Sequence, residues 1–283
     1  MLLNIFFVTV LRKNVEGVAI ATVVSQAISA ACCIYILLKS KGVLKLELKH
    51  LRIYKSELWE MVKIGVPSGL QGCLFSVSNV IIQSAVNSFH DVAVVGGSSA
   101  SSSIEGFMYT AMNAVAVTAL NFAGQNYGAR QYKRVDKVLI NACIMSTVVG
   151  VSMGIAVLIF HEPLLRIYQP HDAQAVAFGW IRMQLVASTY FICGLHEVLV
   201  NTLRGIGSSW PPTLITVVSV GLVRIVWIFT VFKAYHTLLA LFISWPLTWI
   251  VSVVLSTIIY ATTKKKHFAI NEAQYANKAP QEA

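Results

Sequence analysis

Residues 138–160 read VLINACIMSTVVGVSMGIAVLIF, a run of 23 residues with no charged side chain. A helix of this length crosses the ~30 Å hydrocarbon layer of a bilayer. The whole chain of 283 residues has the same character, because 56% of it is hydrophobic, only 12% is charged, and the mean hydropathy is +0.68. So few charged groups cannot cover the surface of a soluble protein, and so many apolar groups exclude disorder. The predicted fold class is an all-α, polytopic membrane helical bundle.

Seven segments are long and apolar enough to span a bilayer, which takes about 20 residues. They are Gly17–Leu38, Ile64–Phe89, Val92–Ala123, Val138–Phe160, Phe178–Leu203, Pro211–Phe232 and Leu238–Tyr260. Residues 1–11 are apolar but too few to cross, and they lack the leading charge and cleavage site of a secretory signal. We expect them to be the end of another span, so that the chain is a fragment with seven full spans and a partial one.

Lysine and arginine distinguish the two sides of the membrane. Alternating sides along the spans places sixteen of them on one side, mainly in the linker 39–63, the loop 124–137 and the tail 264–283, and four on the other. Cytoplasmic loops carry the excess of positive charge, so the linker and the C-terminus are predicted to be cytoplasmic, in a cell membrane. The net charge of +10 is therefore a topology signal. Nucleic acid is not a predicted partner, because its binding needs a concentrated basic patch.

Local patterns predict structure outside and within the spans. The stretch 44–63 alternates apolar and charged residues at helical spacing, which fits an amphipathic helix on the membrane surface or a solvated connector equally well. The tail 264–283 is polar, and we expect it to be disordered. Two G-x-x-x-G pairs, Gly65 with Gly69 and Gly150 with Gly154, have the spacing of close helix packing.

The chain carries no signature of an enzyme. It contains neither the phosphate-binding loop G-x-x-x-x-G-K-[ST] nor an H-E-x-x-H pair. Its five cysteines lie in apolar spans without the spacing of metal ligands, and we interpret them as small buried hydrophobes. We therefore predict neither catalysis nor a bound cofactor or structural metal.

Four ionisable side chains lie within the predicted spans: Glu105, Glu197, Arg182 and Arg224. Arg182 follows its span's first residue closely enough to extend to the interface. Arg224 lies about 12 Å from the end of its helix, too deep for that. Because an ionisable group at this depth costs at least ~2.5 kcal/mol, it usually faces the bundle interior or an aqueous cavity. These residues are the first candidates for function.

Polar residues also recur every three to four positions along two neighbouring spans, so each stripe shares one helix face. The stripes are Ser68, Gly72, Ser76, Asn79, Gln83 and Asn87 in one span, and Ser98, Ser102, Glu105, Tyr109 and Asn113 in the next. We predict a wet cavity that is lined by both stripes and faced by Glu105. There Glu105 exchanges a proton, because burial disfavours a charged carboxyl group, or binds Na⁺ together with Asn79 and Gln83. Alternatively, the acids and arginines form structural ion pairs, and the amides bond neighbouring helices.

Six short strings then suggest a family. They are GVAIAT (17–22), IGVPSGLQ (64–71), SVSNVIIQ (76–83), SIEG (103–106), AGQNYGA (123–129) and LRGIGSS (203–208). In this order and within this hydropathy pattern, they resemble the bacterial multidrug and toxic compound extrusion (MATE) family. The resemblance implies a cation-coupled exporter of amphipathic, cationic drugs and toxins, with twelve helices in two six-helix lobes that expose a central cavity to either side in turn.

On the family plan, residues 1–38 are the remnant of a first lobe, 39–63 the cytoplasmic basic linker, 64–263 the six-helix second lobe and 264–283 the cytoplasmic tail. The missing first lobe, the bilayer and small amphipathic cations are then the implied partners. Two alternatives stay open. A strongly cationic cavity would indicate a flippase for lipid-linked saccharides, and a truncated lobe would fold without transporting.

The resemblance also assigns roles to residues. It implies that Glu105 and Glu197 couple transport to a cation. Other branches of the family place key acids in the first helix of the second lobe, where this chain carries only Asn and Gln. We therefore expect Asn79 and Gln83 to act as neutral ligands, and the choice between H⁺ and Na⁺ stays open. Tyr109 and Asn113 are expected to line the substrate cavity. The expected structural or gating residues are Gln125, Asn126, Arg204 and Arg224.

Overall fold

In the computed structural model, which describes residues 15–41, 45–47 and 52–276, all regular elements are helical. The helices are α1 (Val15–Lys39), α2 (Lys55–Asn87), α3 (Val92–Gly128), α4 (Tyr132–Ile159), α5 (His161–Tyr168), α6 (Ala173–Gly205), α7 (Trp210–Tyr235), α8 (Leu238–Phe242) and α9 (Ser244–Ala276). Within α7, the stretches Val217–Val223 and Ile228–Phe232 are π-helical. The all-α prediction is confirmed. The partial span predicted at residues 1–11 lies outside the described residues.

Six candidate membrane spans are present in the described part of the chain: α2, α4, α6, α7, most of α1, and α8 continuing into α9 as far as Lys265. Each of the seven predicted segments overlaps a helix. The seventh predicted segment lies in α3, which is 37 residues long. Its glycine and serine residues lower its hydropathy below that of a candidate membrane span. The predicted count of seven full spans is therefore not confirmed.

Most helices extend beyond the limits of the predicted spans, and two of these extensions change the interpretation of a flanking segment. Helix α2 begins at Lys55, so the last part of the linker 39–63 forms its first turns, with Leu58 exposed. The other apolar positions of the proposed surface helix, 44, 48 and 51, lie outside the described residues. Helix α9 runs to Ala276, so the prediction of disorder is wrong for residues 264–276. This stretch contains three lysines and three alanines, and both residue types are good helix formers.

The chain divides between residues 58 and 59 into two compact units. In the first, α1 is exposed along nearly its whole length, including Cys32 and Cys33. Cys73 in the second unit is exposed too, whereas Cys193 is buried. The interpretation of all five cysteines as buried is therefore wrong. Side chains on the outside of a membrane bundle contact lipid, so an apolar residue need not be buried within the protein.

Helices α3, α4 and α6 form the core of the second unit, and small residues allow their backbones to approach closely. A Cβ atom added at Gly150 would lie 2.9 Å from Cα of Phe191, and one at Gly154 would lie 2.9 Å from the carbonyl oxygen of Ala187. This confirms the second G-x-x-x-G prediction. At Gly65 and Gly69 an added Cβ would meet no described atom within 4 Å. Close helix packing at this first G-x-x-x-G pair is therefore not confirmed.

A short turn joins the two helices that carry the polar stripes. Helix α2 ends at Asn87, and α3 begins at Val92 after Asp91 accepts a hydrogen bond from the backbone N–H of Ala93 at 2.8 Å. His90 adopts a left-handed conformation (φ 52°) that reverses the chain. Because the two helices run in opposite directions from this turn, residues at matching distances from it reach the same depth.

Candidate transport site

Glu105 of α3 forms a buried, two-pronged ion pair with Arg182 of α6. The Nε atom of Arg182 donates to Oε1 at 2.8 Å, and Nη2 donates to Oε2 at 2.7 Å. A third guanidinium nitrogen, Nη1, donates to the hydroxyl of Ser98 at 2.8 Å. The exposed fractions of the two ion-paired residues are only 6% and 5%. Solvent therefore screens this pair weakly, and both carboxylate oxygens are bound to the same cation.

The position of Arg182 corrects the expectation that it extends to the membrane interface. Helix α6 begins at Ala173, five residues earlier than predicted, so Arg182 lies nine residues, or about 14 Å, into the helix. At this depth the nearby carboxylate of Glu105 is its partner. The alternative of a structural ion pair therefore applies to Glu105, and its partner is Arg182.

A first cavity of about 280 Å³ opens beside this ion pair. Its lining includes Asn79 and Gln83 from α2, and Tyr109 from α3. Gln83 also donates a hydrogen bond to Oδ1 of Asn87, one turn later, at 3.3 Å. The other lining residues are Phe75, Ile82, Ser102, Glu105, Gly106, Arg182, Tyr190 and Trp245. Glu105 thus borders a polar cavity although it is ion-paired.

A second cavity of about 340 Å³ contains the other acid, Glu197 of α6. Glu197 accepts a long hydrogen bond of 3.4 Å from the side chain of Asn201, and that side chain also bonds the backbone carbonyl of Glu197 at 2.9 Å. Arg204 lines the same cavity but donates to Gln71 of α2. The remaining lining residues are Ser68, Gly72, Phe75, Tyr109, Asn113 and Val117.

The two cavities are adjacent, because Phe75 and Tyr109 line both of them. The stripe residues Ser68, Gly72, Asn79 and Gln83 face these cavities from α2, and Ser102, Glu105, Tyr109 and Asn113 face them from α3. Three stripe residues, Ser76, Asn87 and Ser98, line neither cavity; Ser76 bonds the backbone carbonyl of Gly72 within its own helix, and Ser98 accepts from Arg182. The stripes thus border a polar groove with one acid and one arginine in each half.

Arg224 lies outside both cavities and is almost completely buried, with 1% of its surface exposed. It donates to the hydroxyls of Ser78 at 3.2 Å and Thr248 at 3.1 Å, and its guanidinium carbon lies 5.1 Å from the ring centre of Trp245. Among the described residues it has no carboxylate within ion-pair distance. The alternative of a structural ion pair is therefore wrong for Arg224.

Sequence reasoning did not identify Trp245, Ser78 or Thr248, because neutral residues in an apolar span give no charge signal. The two polar residues predicted at the end of α3 lie away from both cavities. Gln125 is exposed, and Asn126 donates its side-chain N–H to the backbone carbonyl of Phe122 at 2.8 Å. Neither residue contacts the acids that the cavities contain.

The MatE family profile matches residues 67–230, more than half of the chain. The chain belongs to the MatE family. Members of this family are multi-pass membrane transporters and not enzymes. The resemblance found in the short strings is thereby confirmed.

Named relatives agree with this MatE assignment. The chain is 23% identical over 231 residues to the probable multidrug resistance protein NorM of Thermotoga maritima, covering 80% of this chain and 48% of NorM. It is 27% identical over 222 residues to the probable multidrug resistance protein YpnP of Bacillus subtilis, covering 77% of this chain and 48% of YpnP. The chain spans about half the length of these relatives.

Solved structures share the fold. The chain superimposes with a TM-score of 0.81 on the MATE transporter VcmN of Vibrio cholerae, at 16% identity, covering 94% of this chain and 60% of VcmN. It superimposes with a TM-score of 0.84 on the outward-facing conformation of a multidrug resistance MATE family transporter of the MOP superfamily, at 15% identity and the same coverage of both chains. At such low identity these matches establish the fold alone.

Proposed function

We propose that this chain supplies the second lobe of an efflux transporter that exports amphipathic, cationic compounds by antiport with H⁺ or Na⁺. The observation that carries the proposal is the position of the acids. Glu105 and Glu197 lie within long helices of the bundle, each borders a polar cavity, and the two cavities share Phe75 and Tyr109. One groove thus offers two carboxylates to cations that enter it.

The ion pair supplies a mechanism for exchange at Glu105. While Arg182 binds both carboxylate oxygens, the pair is neutral and no cation is held there. A proton or a sodium ion that reaches Glu105 competes with the guanidinium, and its binding frees Arg182 to move. Asn79 and Gln83 border the same cavity and offer amide oxygens, which suit a hard cation such as Na⁺.

Glu197 offers a different kind of site. Its carboxylate receives one long hydrogen bond, from Asn201 at 3.4 Å, while Arg204 donates to Gln71. Glu197 is therefore the acid that an incoming organic cation meets without displacing an arginine. Phe75 and Tyr109 lie beside it and supply aromatic faces, which attract cations and apolar rings alike. Carboxylates flanked by aromatic rings support amphipathic cations as the substrate class.

The charge balance of the cavities distinguishes this function from its main alternative. A flippase for lipid-linked saccharides carries phosphate and is favoured by a strongly cationic cavity. Here each cavity is lined by one acid and one arginine: Glu105 with Arg182, and Glu197 with Arg204. Arg224 lines neither. This balance supports the exporter.

The remaining parts of the proposal concern placement. We place the transporter in the cytoplasmic membrane, with the linker 39–63 and the C-terminus in the cytoplasm, since these segments carry most of the Lys and Arg residues outside the spans. A first lobe, supplied outside residues 64–263, closes the other side of the groove and is the necessary partner. The transporter requires no cofactor besides the coupling ion.

The test uses the complete transporter, in cells that lack other efflux pumps, with export of a fluorescent organic cation such as ethidium as the readout. We expect Glu105→Gln and Glu197→Gln each to reduce export at least tenfold. The matched control is Glu162→Gln, because Glu162 lies on α5 and pairs with Arg166 in a solvent-exposed bridge. Membrane insertion is checked by the amount of folded protein recovered in detergent. Normal export by both inserted cavity variants would overturn the proposal.

A further inference from the structure

Arg224 is a buried cation whose charge is not compensated by an acid within ion-pair distance in the described part of the chain. Its hydrogen bonds go to two hydroxyl groups, those of Ser78 on α2 and Thr248 on α9. Its Nε atom is buried and has no hydrogen-bond partner. Burial of a charge without a counter-ion is costly, so a purely structural role is a poor explanation for this residue.

Trp245 connects this cation to the ion pair at Glu105. The guanidinium carbon of Arg224 lies 5.1 Å from the centre of the indole, and that of Arg182 lies at the same distance, 5.1 Å. One ring therefore contacts two cations, and attraction between a cation and an aromatic face holds each of them. Since both guanidinium carbons lie so near one ring centre, they are within about 10 Å of each other.

The contacts form a continuous series across five helices. Ser78 (α2) bonds Arg224 (α7), Arg224 stacks on Trp245 (α9), Trp245 contacts Arg182 (α6), and Arg182 binds Glu105 (α3). If Arg182 left Glu105, the lobe would hold two uncompensated guanidiniums beside one indole. The positive charge of Arg224 therefore favours the state in which Arg182 stays on the carboxylate of Glu105. The same charge opposes the binding of a proton or Na⁺ at that carboxylate.

Glu105 is surrounded by a small set of ionisable groups. Those on the helices packed around it are Tyr109 on its own helix, Arg182, Tyr190 and Cys193 on α6, and Arg224 on α7. The residues that α2 brings to the same cavity, Asn79 and Gln83, are neutral. The two arginines are thus the only groups in this set that are cationic at neutral pH.

We propose that Arg224 is a positioning residue that, through Trp245, holds Arg182 against Glu105 and so sets how readily the coupling cation competes for that carboxylate. This inference rests on the proposed role of Glu105 in coupling. Removal of the Arg224 charge makes a proton or Na⁺ at Glu105 more favourable. Half-maximal activation of transport then moves toward higher pH if the coupling ion is H⁺, or toward lower Na⁺ concentration if it is Na⁺.

The experiment measures dye export by the complete transporter in proteoliposomes, as a function of pH without Na⁺ and of Na⁺ at fixed pH. We expect Arg224→Gln to shift half-maximal activation by up to roughly tenfold in cation concentration, or about one pH unit, which is the order that Coulomb's law gives for a unit charge about 10–15 Å away at intermediate dielectric. Arg224→Lys retains the charge and should restore the wild-type midpoint. Equal midpoints for Arg224→Gln and the wild type would overturn the inference.

A second pair of variants decides the matter if Arg224→Gln does not fold. Trp245→Leu keeps both charges but removes the ring that both guanidiniums contact, and it should shift the midpoint in the same direction. Trp249→Leu is the matched control, because Trp249 lies one turn further along α9 and packs on Tyr190 at 5.2 Å. A wild-type midpoint in folded Trp245→Leu, or an equal shift in Trp249→Leu, would also overturn the inference.

Glu105→Gln, measured in the same assay, separates this inference from the proposed function. If Glu105→Gln keeps the wild-type dependence on pH and Na⁺, the coupling role of Glu105 is wrong and the inference falls with it. If Glu105→Gln abolishes that dependence while the midpoint of Arg224→Gln stays at the wild-type value, only the role of Arg224 is wrong.

Discussion

Replacing Arg182 by methionine is expected to destabilise the second lobe strongly. The guanidinium makes two short hydrogen bonds to Glu105, at 2.7 and 2.8 Å, and the two side chains are only 7% and 8% exposed. Loss of one partner of such a buried pair leaves an uncompensated charge, which typically costs about 3–5 kcal/mol. The contact of Arg182 with Trp245 is lost as well, so the upper half of this range is expected.

The assay is equilibrium unfolding of the purified complete transporter in mixed micelles. Arg166→Met is the matched control. Arg166 pairs with Glu162 at 2.9 Å, but these side chains are 52% and 58% exposed, so its loss should cost only about 0.3–0.5 kcal/mol.

A double variant separates pairing from packing. Glu105→Gln combined with Arg182→Met removes both charges, and it should recover most of the stability lost in Arg182→Met while remaining inactive in coupled export. If Arg182→Met is no less stable than Arg166→Met, the ion pair does not stabilise the lobe. If the double variant is no more stable than Arg182→Met, packing and not charge explains the loss.

Two further predictions concern packing and the extent of the transporting unit. Gly150→Ala should lower the melting temperature, since the new Cβ would lie 2.9 Å from Cα of Phe191 and overpacking typically costs about 1–3 kcal/mol. The control is Gly65→Ala, which should leave the melting temperature unchanged or raise it, because no described atom lies within 4 Å of the added Cβ. Equal effects of the two substitutions would contradict the close packing of α4 on α6. Residues 1–283 expressed alone should give no dye export, because one lobe does not enclose an alternating cavity; export above that of cells with an empty vector would contradict the two-lobe proposal.

Much of the site follows from periodicity. Polar residues spaced at three to four positions predict which face of α2 and of α3 borders water, and Asn79, Gln83, Tyr109 and Asn113 do line the two cavities. Periodicity does not predict exceptions such as Ser76. A serine can bond the carbonyl four residues earlier in its own helix, as Ser76 does with Gly72, and then it needs no cavity.

Packing between helices is harder to predict because it depends on what the opposite helix presents. The spacing G-x-x-x-G is the same at Gly65 and at Gly150, yet only the second pair meets a neighbouring backbone. The contact of Trp245 with two arginines is a further example. The three residues come from three different helices, so no local pattern in the sequence brings them together.

The depths of Glu105 and Arg182, by contrast, can be predicted from the sequence. Asp172 caps α6 by accepting a hydrogen bond from the backbone N–H of Ala175 at 2.9 Å, and aspartate before an apolar run is a typical helix start. A helix that begins at Ala173 places Arg182 about 14 Å deep, and one that begins at Val92 places Glu105 about 20 Å deep. Alternating sides along the chain makes α3 and α6 start on the same side of the membrane. The long arginine side chain can span the remaining ~6 Å, so the two helix starts predict compatible depths for the acid and its cation, whereas their contact depends on the packing of α3 against α6.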